Sequence, residues 1–395
     1  MAGQLGQEVE AITNGFNQSQ QEYKIKPIYK GNYLESLTSF AAAFRAHQPP
    51  ALIQVFEVGT KTMLQPKGVI KPVDELMKEQ GLSLPKDGFF KPVLHYYSEN
   101  GQLMAMPFNI SIPVMYFNAD ALGSLGVTSR NFPHTWRGLE TLAKKLQDAG
   151  FHCVYTSAYP GWIFIESFAA LHRIPLSNRD TTALTYNNKD VLSHLSRLKR
   201  WQQQHYFEYG GRFDDATVLF SSGRCPLFSQ SSGAYMGLSQ LVSFQVGMAL
   251  IPYDDEINAK RSNNVIGGAA LWATALQTKA TYRGIAKFFE YFASPAVQLQ
   301  WHQNTGYLPL GIDGVYQSLL KKSRYPSLVL AKMDLKEEDR INNTSRLGVQ
   351  NQIRTMNDEA IEAIFAGIYS PKASLDEAVA RANHALSRFE RNTKN

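Results

Sequence analysis

The fold is decided largely by the stretch Asn32–Val58, which reads NYLESLTSFAAAFRAHQPPALIQVFEV. Its first part predicts a helix that runs to about Ala46, because Asn32 is a favourable N-cap residue. Four apolar side chains recur on one face of that helix: Leu34, Leu37, Phe40 and Phe44. The two prolines that follow end the helix, and Ala51–Val58 then predicts a largely apolar strand with Glu57 near its end.

The same alternation of helix and strand patterns continues on both sides of this stretch. Further strands are predicted at Tyr23–Tyr29, Pro113–Asn118, His152–Tyr155, Val246–Ile251 and Ala269–Thr274, and a turn is predicted between Asp214–Phe220 and Cys225–Phe228. Further helices are predicted at Gln4–Phe16, Asn131–Gly150, Trp162–His172, Ala280–Ala293, Pro295–His302, Gln350–Phe365 and Ser374–Arg391. This order indicates an α/β fold with parallel or mixed sheets covered by helices. Ligands of such sheets gather at the carboxyl ends of the strands.

The length and composition indicate a soluble protein of two domains. A chain of 395 residues exceeds what one hydrophobic core organises, and 44% hydrophobic with 19% charged residues is ordinary for a globular protein. No stretch approaches the ~20 apolar residues of a membrane span. The net charge of +6 is dispersed along the chain, so no nucleic-acid partner is expected.

Cysteine usage and the first residues bear on the cellular compartment. Cys153 and Cys225 allow one intramolecular disulfide, and both a bridge and two buried thiols remain open. Met1–Gln18 predicts an amphipathic helix without the apolar core of a signal peptide. We therefore expect either a cytoplasmic protein or one whose export signal lies outside this sequence.

The known catalytic motifs are almost entirely missing. Ser196–Lys199 and Ser318–Lys321 match the pattern S-x-x-K, but the companion elements of that active site are lacking. No Walker A loop, G-x-G-x-x-G, G-x-S-x-G or H-E-x-x-H occurs. The pairs Asp214/Asp215 and Asp254/Asp255 lie in turn contexts and are expected to be solvated. We therefore expect no enzyme, no cofactor and no metal site.

A different kind of site is indicated where predicted strands meet helices. Aromatic, hydroxyl and glycine residues cluster there, at Gly31–Tyr33, Phe108–Ser111, Tyr159–Trp162, Ser231–Gly233, Gly267–Gly268 and Gly306–Tyr307. Such groups suit a polyol phosphate, because aromatic faces cover its C–H surface while hydroxyls and peptide N–H groups bind its oxygens. For any single tyrosine or tryptophan, packing in the core is the alternative explanation.

Taken together, these clusters and several longer motifs resemble the UgpB family, the sn-glycerol-3-phosphate-binding proteins of ABC importers (extracellular solute-binding protein family 1). The resemblance runs from Gly3 to the end of the chain. Its most specific stretches are Tyr29–Tyr33, Gln54–Thr60, Ile266–Trp272, Trp301–Pro309 and Arg346–Gly348. The two cysteines also fall where this family often has them.

The resemblance implies a role for ten residues. Tyr33 and Glu57 would hold glycerol hydroxyls, and Ser111 would bond to the ligand at the first crossing between lobes. The phosphate would be held by Ser231, the backbone of Gly267 and Gly268, Tyr307 and Arg346. Tyr159 and Trp162 would form a wall, in a position where family members commonly have Trp-x-Gly-Trp. The smaller ring of Tyr159 bears on which ligand this wall accepts.

The resemblance also implies a class II periplasmic-binding fold, with hinge crossings near residues 109–113, 260–266 and 308–312. The lobes would be 1–110 with 265–309, and 111–264 with 310–395. The opening strand of the family would be missing before Met1, leaving its neighbour in the sheet exposed. The implied protein is a periplasmic monomer that closes on its ligand and delivers it to an ABC permease. The sequence does not separate sn-glycerol-3-phosphate from glycerophosphodiesters such as glycerophosphocholine.

Two other functions are considered. An oligosaccharide-binding transport protein would use the aromatic residues but would not need Arg346 and the serines around one anion. A glycerophosphodiester hydrolase would need a metal ion or an acid–base pair, and the sequence has neither at convincing spacing.

Overall fold

The computed structural model describes residues 3–336 and 347–393, and these form two compact units. Unit 1 is Met1–Ser111 with Ile266–Glu338, and unit 2 is Ile112–Val265 with Asp339–Asn395. The chain therefore leaves unit 1 after Ser111 and re-enters it at Ile266.

The helices alternate with nine short strands along the described chain. The helices are α1 Gly3–Ser19, α2 Tyr33–Arg45, α3 Thr60–Leu64, α4 Val73–Glu79, α5 Lys91–Tyr96, α6 Ala119–Gly123, α7 Trp136–Asp148, α8 Phe168–Leu171, α9 Lys189–Gln203, α10 Thr217–Ser221, α11 Tyr235–Leu241, α12 Lys279–Phe292, α13 Pro295–Thr305, α14 Leu319–Lys322, α15 Ser327–Asp334, α16 Gln350–Ala366 and α17 Pro371–Thr393. The strands are β1 Leu52–Phe56, β2 Ser98–Glu99, β3 Gln102–Leu103, β4 Met106–Pro107, β5 Pro113–Asn118, β6 Tyr155–Ser157, β7 Leu227–Ser231, β8 Val246–Leu250 and β9 Ala269–Ala273. Within the part of the chain that the structure describes, none of the helices has the length and apolar character to cross a membrane.

The segment that begins at residue 310 lies in unit 1, although the sequence analysis assigned it to the second lobe. Leu310 donates its backbone N–H to the Gln298 side chain over 2.8 Å and accepts from the backbone of Phe90 over 3.0 Å. Farther along, the Tyr316 hydroxyl donates to the carbonyl of Ala293. These bonds tie the segment to α13, α12 and the start of α5, so the crossing predicted near 308–312 does not lie there.

Unit 1 is built around a three-stranded antiparallel sheet in the order β1-β9-β4. The central strand, β9, is buried along its whole length. Its register pairs Leu52 with Ala273 and Phe56 with Ala269. The sequence predicted a parallel or mixed sheet, and for this unit that prediction is wrong. β9 arrives from far along the chain, and the apolar pattern of a strand does not record the direction in which it inserts.

The strand predicted at Tyr23–Tyr29 is not formed. The side chain of Asn17 accepts the backbone N–H of Ile25 over 2.7 Å and donates to its carbonyl over 2.8 Å. Pro27 offers no backbone N–H, so this segment is a poor partner for a sheet. Apolar alternation alone predicted the strand, but a polar residue in α1 takes the backbone groups that a ladder would need.

Unit 2 contains a four-stranded sheet in the order β6-β7-β5-β8. β6 and β7 are parallel, while β5 is antiparallel to both β7 and β8, so this sheet is mixed, as predicted. Helices α7, α9, α16 and α17 bury apolar faces in one core with the sheet. The bulkiest fully buried members of that core are Trp136, Tyr155, Tyr186 and Trp201.

The helix predicted at Trp162–His172 begins in an unexpected form. Gly161–Ser167 is a π-helical segment, and only Phe168–Leu171 is α-helical. Every residue of the π-helical segment is buried. Wider π-helical turns often lie next to functional sites.

Asp254 does not lie in a solvated turn as the sequence predicted. It is 7% exposed and its carboxylate is paired with Arg197. Its backbone N–H points at Nε2 of His172 over 2.6 Å, and burial lowers the pKa of His172. The neutral imidazole can therefore accept this bond, and the buried group serves the packing of unit 2.

The two cysteines form a disulfide, which decides between the two alternatives that the sequence left open. Cys153 and Cys225 have Cα atoms 4.8 Å apart and are separated by 72 residues in the sequence. Both are buried, and they lie just ahead of the parallel neighbours β6 and β7. A crosslink over a loop of this length restricts the unfolded chain considerably.

Replacing both cysteines, Cys153→Ser with Cys225→Ser, is expected to lower the free energy of unfolding by about 2–4 kcal/mol. Urea denaturation of the double variant measures this loss. The unfolding of the wild-type protein should move to the same midpoint in a thiol reductant, whereas the variant should not respond to the reductant. Equal midpoints for the oxidised wild type and the variant would contradict the expectation.

Candidate ligand-binding site

The end of β1 and the start of β9 bring Glu57 next to the glycine pair in unit 1. β1 ends at Phe56 and continues into a three-residue helical turn that begins with Glu57. The backbone N–H of Glu57 donates to the carbonyl of Gly268 over 2.9 Å. Glu57 is 4% exposed, and its own carbonyl accepts from the Tyr96 hydroxyl over 2.9 Å. Two predicted site positions are thus neighbours through the antiparallel register.

Gly268 occupies its position because no other residue fits there. Its φ is +91°, in the region that favours glycine. A Cβ atom on Gly268 would lie 1.8 Å from the backbone oxygen of Asn109. The residue before it, Gly267, exchanges two backbone hydrogen bonds with Ser111, of 2.9 and 3.1 Å. Ser111 is 1% exposed. The structure therefore groups Ser111, Gly267 and Gly268.

Asn109 connects two of the predicted tyrosines. Its side-chain oxygen accepts from the Gln54 amide over 2.8 Å, and its amide nitrogen donates to the Tyr33 hydroxyl over 2.9 Å. The Tyr307 hydroxyl lies near the same side chain, which acts to lower its pKa against the effect of burial. Asn109 is completely buried. The role of Asn109 cannot be recognised in the sequence, because only the fold brings β1, α2 and the loop after α13 to one amide.

The rings of Tyr33 and Tyr307, the two tyrosines next to Asn109, each stack on another aromatic ring. The ring of Tyr33 stacks on Phe56 with centroids 5.3 Å apart, and the ring of Tyr307 stacks on Trp301 at 6.1 Å. Both tyrosines are half-buried. Burial raises the pKa of Tyr307, so its hydroxyl stays neutral and can either donate or accept. Each tyrosine therefore presents its hydroxyl at the end of an apolar ring whose position is fixed by stacking.

The loop that carries Tyr307 is fixed by its backbone. The carbonyl of Tyr307 lies 2.7 Å from Nδ1 of His302, and its N–H donates to the Thr305 hydroxyl over 3.1 Å. Nε2 of His302 contacts the Ser323 hydroxyl at 2.6 Å. Burial lowers the pKa of His302, so the ring is neutral and its nitrogens can take complementary roles. The backbone of Tyr307 is therefore fixed through both its N–H and its carbonyl.

Two buried hydroxyls near Glu57 were not predicted from the sequence. The hydroxyl of Tyr97 and the hydroxyl of Thr60 have no hydrogen-bond partner among the described residues. Burial, with the nearby Glu57 and Tyr33, raises the pKa of Tyr97 well above its ordinary value. The Tyr97 hydroxyl is therefore neutral and lies close enough to Glu57 to interact with it electrostatically.

Ser231 lies at the last position of β7 in unit 2. Its hydroxyl accepts the backbone N–H of Gly233 over 3.1 Å and begins the short helical turn Ser232–Ala234. Its carbonyl accepts from the Tyr116 hydroxyl over 2.8 Å. Ser231 is half-buried, while the adjacent Ser232 is fully buried and bonds to Ile112. The hydroxyl of Ser231 thus sits at the start of a turn whose N–H groups favour anions.

Tyr159 and Trp162 form the second feature of unit 2. Tyr159 has a φ of +45°, and its N–H donates to the carbonyl of Phe213 over 2.6 Å. Its ring meets that of Trp162 edge to face, with centroids 6.4 Å apart. Trp162 is 4% exposed, and its indole N–H has no hydrogen-bond partner among the described residues.

The parallel pairing of β6 and β7 explains why these features belong together. Ser157 and Ser229 are paired in the ladder, so Tyr159 and Ser231 lie two residues beyond that pair on neighbouring strands. Carboxyl ends of adjacent parallel strands are where α/β sheets bind ligands. The fold of unit 2 therefore places Tyr159 and Ser231 at the carboxyl ends of the neighbouring strands β6 and β7, and their contact with a ligand stays a prediction.

Arg346 lies outside the described residues. The motif that contains it continues into Leu347, which is 3% exposed and belongs to the core of unit 2. A Cβ atom on Gly348 would meet the ring of Phe389 at 2.0 Å. The packing of Leu347 and Gly348 gives this motif a structural reason of its own, and the role of Arg346 stays a prediction.

The predicted site residues that the structure describes offer neutral hydroxyls, peptide groups, aromatic faces and the buried carboxylate of Glu57. A potential metal-ligand group, Cys153, Glu208 and Cys225, occurs elsewhere among the described residues, but its two sulfur atoms are joined in the disulfide.

Comparison with known proteins decides the family. Residues 11–323 match the family model described as bacterial extracellular solute-binding protein. The chain belongs to the bacterial extracellular solute-binding proteins. It is 37% identical to the sn-glycerol-3-phosphate-binding periplasmic protein UgpB of Salmonella paratyphi A, covering 100% of this chain and 92% of that protein. It is 38% identical to the UgpB of Yersinia pseudotuberculosis over the same shares. The resemblance to the UgpB family is thereby confirmed.

Solved structures confirm the two-domain periplasmic-binding fold. The UgpB of Mycobacterium tuberculosis in complex with glycerophosphocholine has a TM-score of 0.80 at 18% identity, covering 96% of this chain and 94% of that one. The maltose-bound MalE3 of T. maritima has a TM-score of 0.77 at 16% identity, covering 98% and 97%. At these identities both likenesses concern the fold. Solute-binding proteins of this family take small molecules as ligands.

Gly268→Ala is expected to lower the free energy of unfolding by more than about 2 kcal/mol, because a strained φ costs about 1–2 kcal/mol and the new methyl group would meet Asn109. Gly68→Ala is the matched control in unit 1, since Gly68 has a φ of +74° and nothing within 4 Å of an added Cβ. Its loss should be about 1 kcal/mol. Thermal or urea unfolding measures both, and equal losses would mean that the contact with Asn109 is relieved without cost.

Proposed function

We propose that this protein captures sn-glycerol-3-phosphate, glycerophosphodiesters such as glycerophosphocholine, or both, and delivers them to an ABC permease. The observation that carries the proposal is the buried amide of Asn109 beside Glu57, which donates to the Tyr33 hydroxyl and lies near the Tyr307 hydroxyl. A vicinal diol donates two hydrogen bonds and accepts others, and a carboxylate with neutral hydroxyls near it matches that pattern. The names of the relatives support the same ligand class.

The residues have distinct roles in this proposal. Glu57 accepts hydrogen bonds from glycerol hydroxyls, and Tyr33 supplies a hydroxyl next to an aromatic face. The phosphate is bound without a metal ion by neutral donors and one guanidinium, for which the candidates are Ser111, Ser231, the backbone of Gly267 and Gly268, Tyr307 and Arg346. A guanidinium fork matches two phosphate oxygens. Neutral donors around a phosphate hold it while allowing its release to a permease.

Tyr159 and Trp162 are proposed to contact what lies beyond the phosphate. An indole face attracts a quaternary ammonium group by about 0.5–2 kcal/mol. Tyr159 covers less apolar area than the tryptophan that is common in the family, but its hydroxyl can form a hydrogen bond. We therefore expect glycerophosphocholine to bind at least as tightly as sn-glycerol-3-phosphate.

The proposal includes capture by closure of two lobes, a periplasmic location, a monomeric state and no nucleic-acid partner. It also includes the absence of catalysis. Asp254 and Asp255, which an acid–base mechanism might have used, have structural partners instead: Arg197 for the first and Arg137 for the second. An oligosaccharide-binding function and glycerophosphodiester hydrolysis are the competing outcomes of the experiment below.

Calorimetric titration with sn-glycerol-3-phosphate, glycerophosphocholine and maltose tests this function. Saturable binding of one or both glycerol phosphates is expected, with no heat of binding for maltose. The recovered glycerophosphocholine should be intact after prolonged incubation, as measured by released choline. Binding of maltose alone would favour the oligosaccharide function, and steady release of choline would mean that the protein is a hydrolase.

Arg346→Ala is expected to weaken binding of sn-glycerol-3-phosphate about tenfold to a hundredfold, because a hydrogen bond to a charged group contributes about 1.5–3 kcal/mol. The urea midpoint should hardly change. Arg388→Ala is the matched control, since Arg388 is an exposed arginine of unit 2. If both variants bind like the wild type, Arg346 is not a ligand residue.

A further inference from the structure

The Tyr159–Trp162 loop is held by α16 through a contact that the sequence did not indicate. The backbone N–H of Gly161 donates to a carboxylate oxygen of Asp358 over 2.8 Å. Gly161 begins the π-helical segment, whose first N–H groups have no partner within the segment. Asp358 is 8% exposed and lies in the middle of α16. A side chain remote in the sequence therefore caps the segment that carries Trp162.

The approach of α16 to Gly161 leaves no room for another residue. A Cβ atom on Gly161 would lie 2.7 Å from the Asp358 carboxylate, 3.3 Å from the carbonyl of Arg354 and 3.4 Å from the Cβ of Asn357. Glycine is thus required by this close contact and not by its own φ. The geometry leaves the carboxylate of Asp358 in direct contact with the peptide that joins Tyr159 to Trp162 through Pro160 and Gly161.

α16 also holds the other end of the π-helical segment. Arg354 forms a two-pronged ion pair with Glu166, with N–O distances of 2.6 and 2.8 Å, and Glu166 is fully buried. The Tyr186 hydroxyl donates a hydrogen bond to the side-chain oxygen of Asn357. Polar contacts from one helix therefore fix the segment on both sides of Trp162, and only the contact of Asp358 lies next to the aromatic pair.

We propose that Asp358 is a positioning residue for the Tyr159–Trp162 pair and thereby sets the preference among glycerol phosphates. This inference rests on the proposed function, since it assigns the pair to the part of the ligand beyond the phosphate. Asp358 itself does not touch the ligand. Its carboxylate holds the Gly161 peptide, and the orientation of the two rings follows from that peptide.

The charges around Asp358 make this contact sensitive to pH. Burial raises the pKa of Asp358 to about 6. This pKa is lowered by the Gly161 N–H, by Arg354 on the same helix as Asp358, and by Arg212 on the loop before α10. It is raised by Glu166 in the π-helical segment. Tyr209 also faces Asp358, and its own pKa is raised by burial, so it is neutral. At neutral pH the carboxylate is ionised and accepts the Gly161 bond strongly, and near pH 6 it loses that charge.

The raised pKa of Asp358 links its ionisation to the stability of the fold. The pKa of Asp358 is higher in the folded protein than its ordinary value, so protonated Asp358 favours folding. That stability is present in acid and is lost as pH rises toward and through about 6. The ionised form present at neutral pH therefore costs stability.

Asp358→Asn tests the proposal, because the amide has the same shape and a neutral acceptor for Gly161. Titration at pH 7.5 should give a preference for glycerophosphocholine over sn-glycerol-3-phosphate that is about fivefold lower than in the wild type. The urea midpoint should be equal or higher. Asp376→Asn is the control, since Asp376 is a carboxylate of unit 2 bonded to Lys372 and Asn187. An unchanged preference between the two ligands, whether or not the stability falls, would overturn the proposal.

A pH series with glycerophosphocholine alone provides a second readout, because a phosphodiester does not titrate near neutral pH. The wild-type affinity should fall between pH 7.5 and pH 5.5, and the affinity of Asp358→Asn should stay level over that range. Parallel curves for the two proteins would contradict the role of Asp358.

A third readout needs no ligand and separates this inference from the proposed function. The indole N–H resonance of Trp162, assigned with Trp162→Phe, should move with a midpoint near the pKa of Asp358 in the free wild-type protein and stay fixed in Asp358→Asn. If the resonance behaves so but neither glycerol phosphate binds, the proposed ligand is wrong and the positioning of Trp162 stands. If the resonance does not move with pH in the wild type and is the same in Asp358→Asn, Asp358 does not position the ring.

Discussion

The absence of a side chain at Gly268 is the constraint on which the arrangement of unit 1 depends. The carbonyl of Gly268 receives the N–H of Glu57, and the space where its Cβ would lie is filled by the backbone of Asn109. Because three segments meet at one peptide, the carboxylate of Glu57 and the amide of Asn109 are placed by the same contact. Replacing that glycine would separate the segments and move both polar groups.

Neutral polar groups dominate the candidate site, and this follows from burial. Tyr307, Tyr97 and His302 all have pKa values shifted by burial toward the uncharged form. A neutral hydroxyl can donate to one ligand oxygen and accept from another, whereas a charged group can do only one of these. Transport requires binding that is selective but reversible. Oriented dipoles beside the carboxylate of Glu57 supply many such contacts, and in the proposed function only Arg346 adds a contact between opposite charges.

Unit 2 differs from unit 1 in that its aromatic rings are carried by a segment with unusual backbone geometry. The π-helical segment and the positive φ of Tyr159 are both local arrangements that cost free energy by themselves. Buried polar contacts from α16, at Asp358 and Arg354, stabilise them. The disulfide Cys153–Cys225 supports the same strands from the opposite end of β6 and β7.

The sequence by itself determined those features whose causes lie within a few residues. Helix α2 was predicted because Asn32 is a favourable N-cap, and in the structure Glu35 completes a capping box there. Strand β5 was predicted with its observed bounds from an apolar run. The clusters that contain Tyr33, Tyr307, Tyr159 and Ser231 were also recognised from residue type. The tertiary structure alone decided the antiparallel direction of β9, the unformed strand at Tyr23–Tyr29, the role of Asn109 and the contact of Asp358. Each of these depends on a partner far away in the chain: Asp358 and Gly161 are separated by 197 residues, and Asn109 and Tyr33 by 76. Local propensity has no information about such partners, because a hydrogen bond between distant residues exists only once packing has brought both groups out of water.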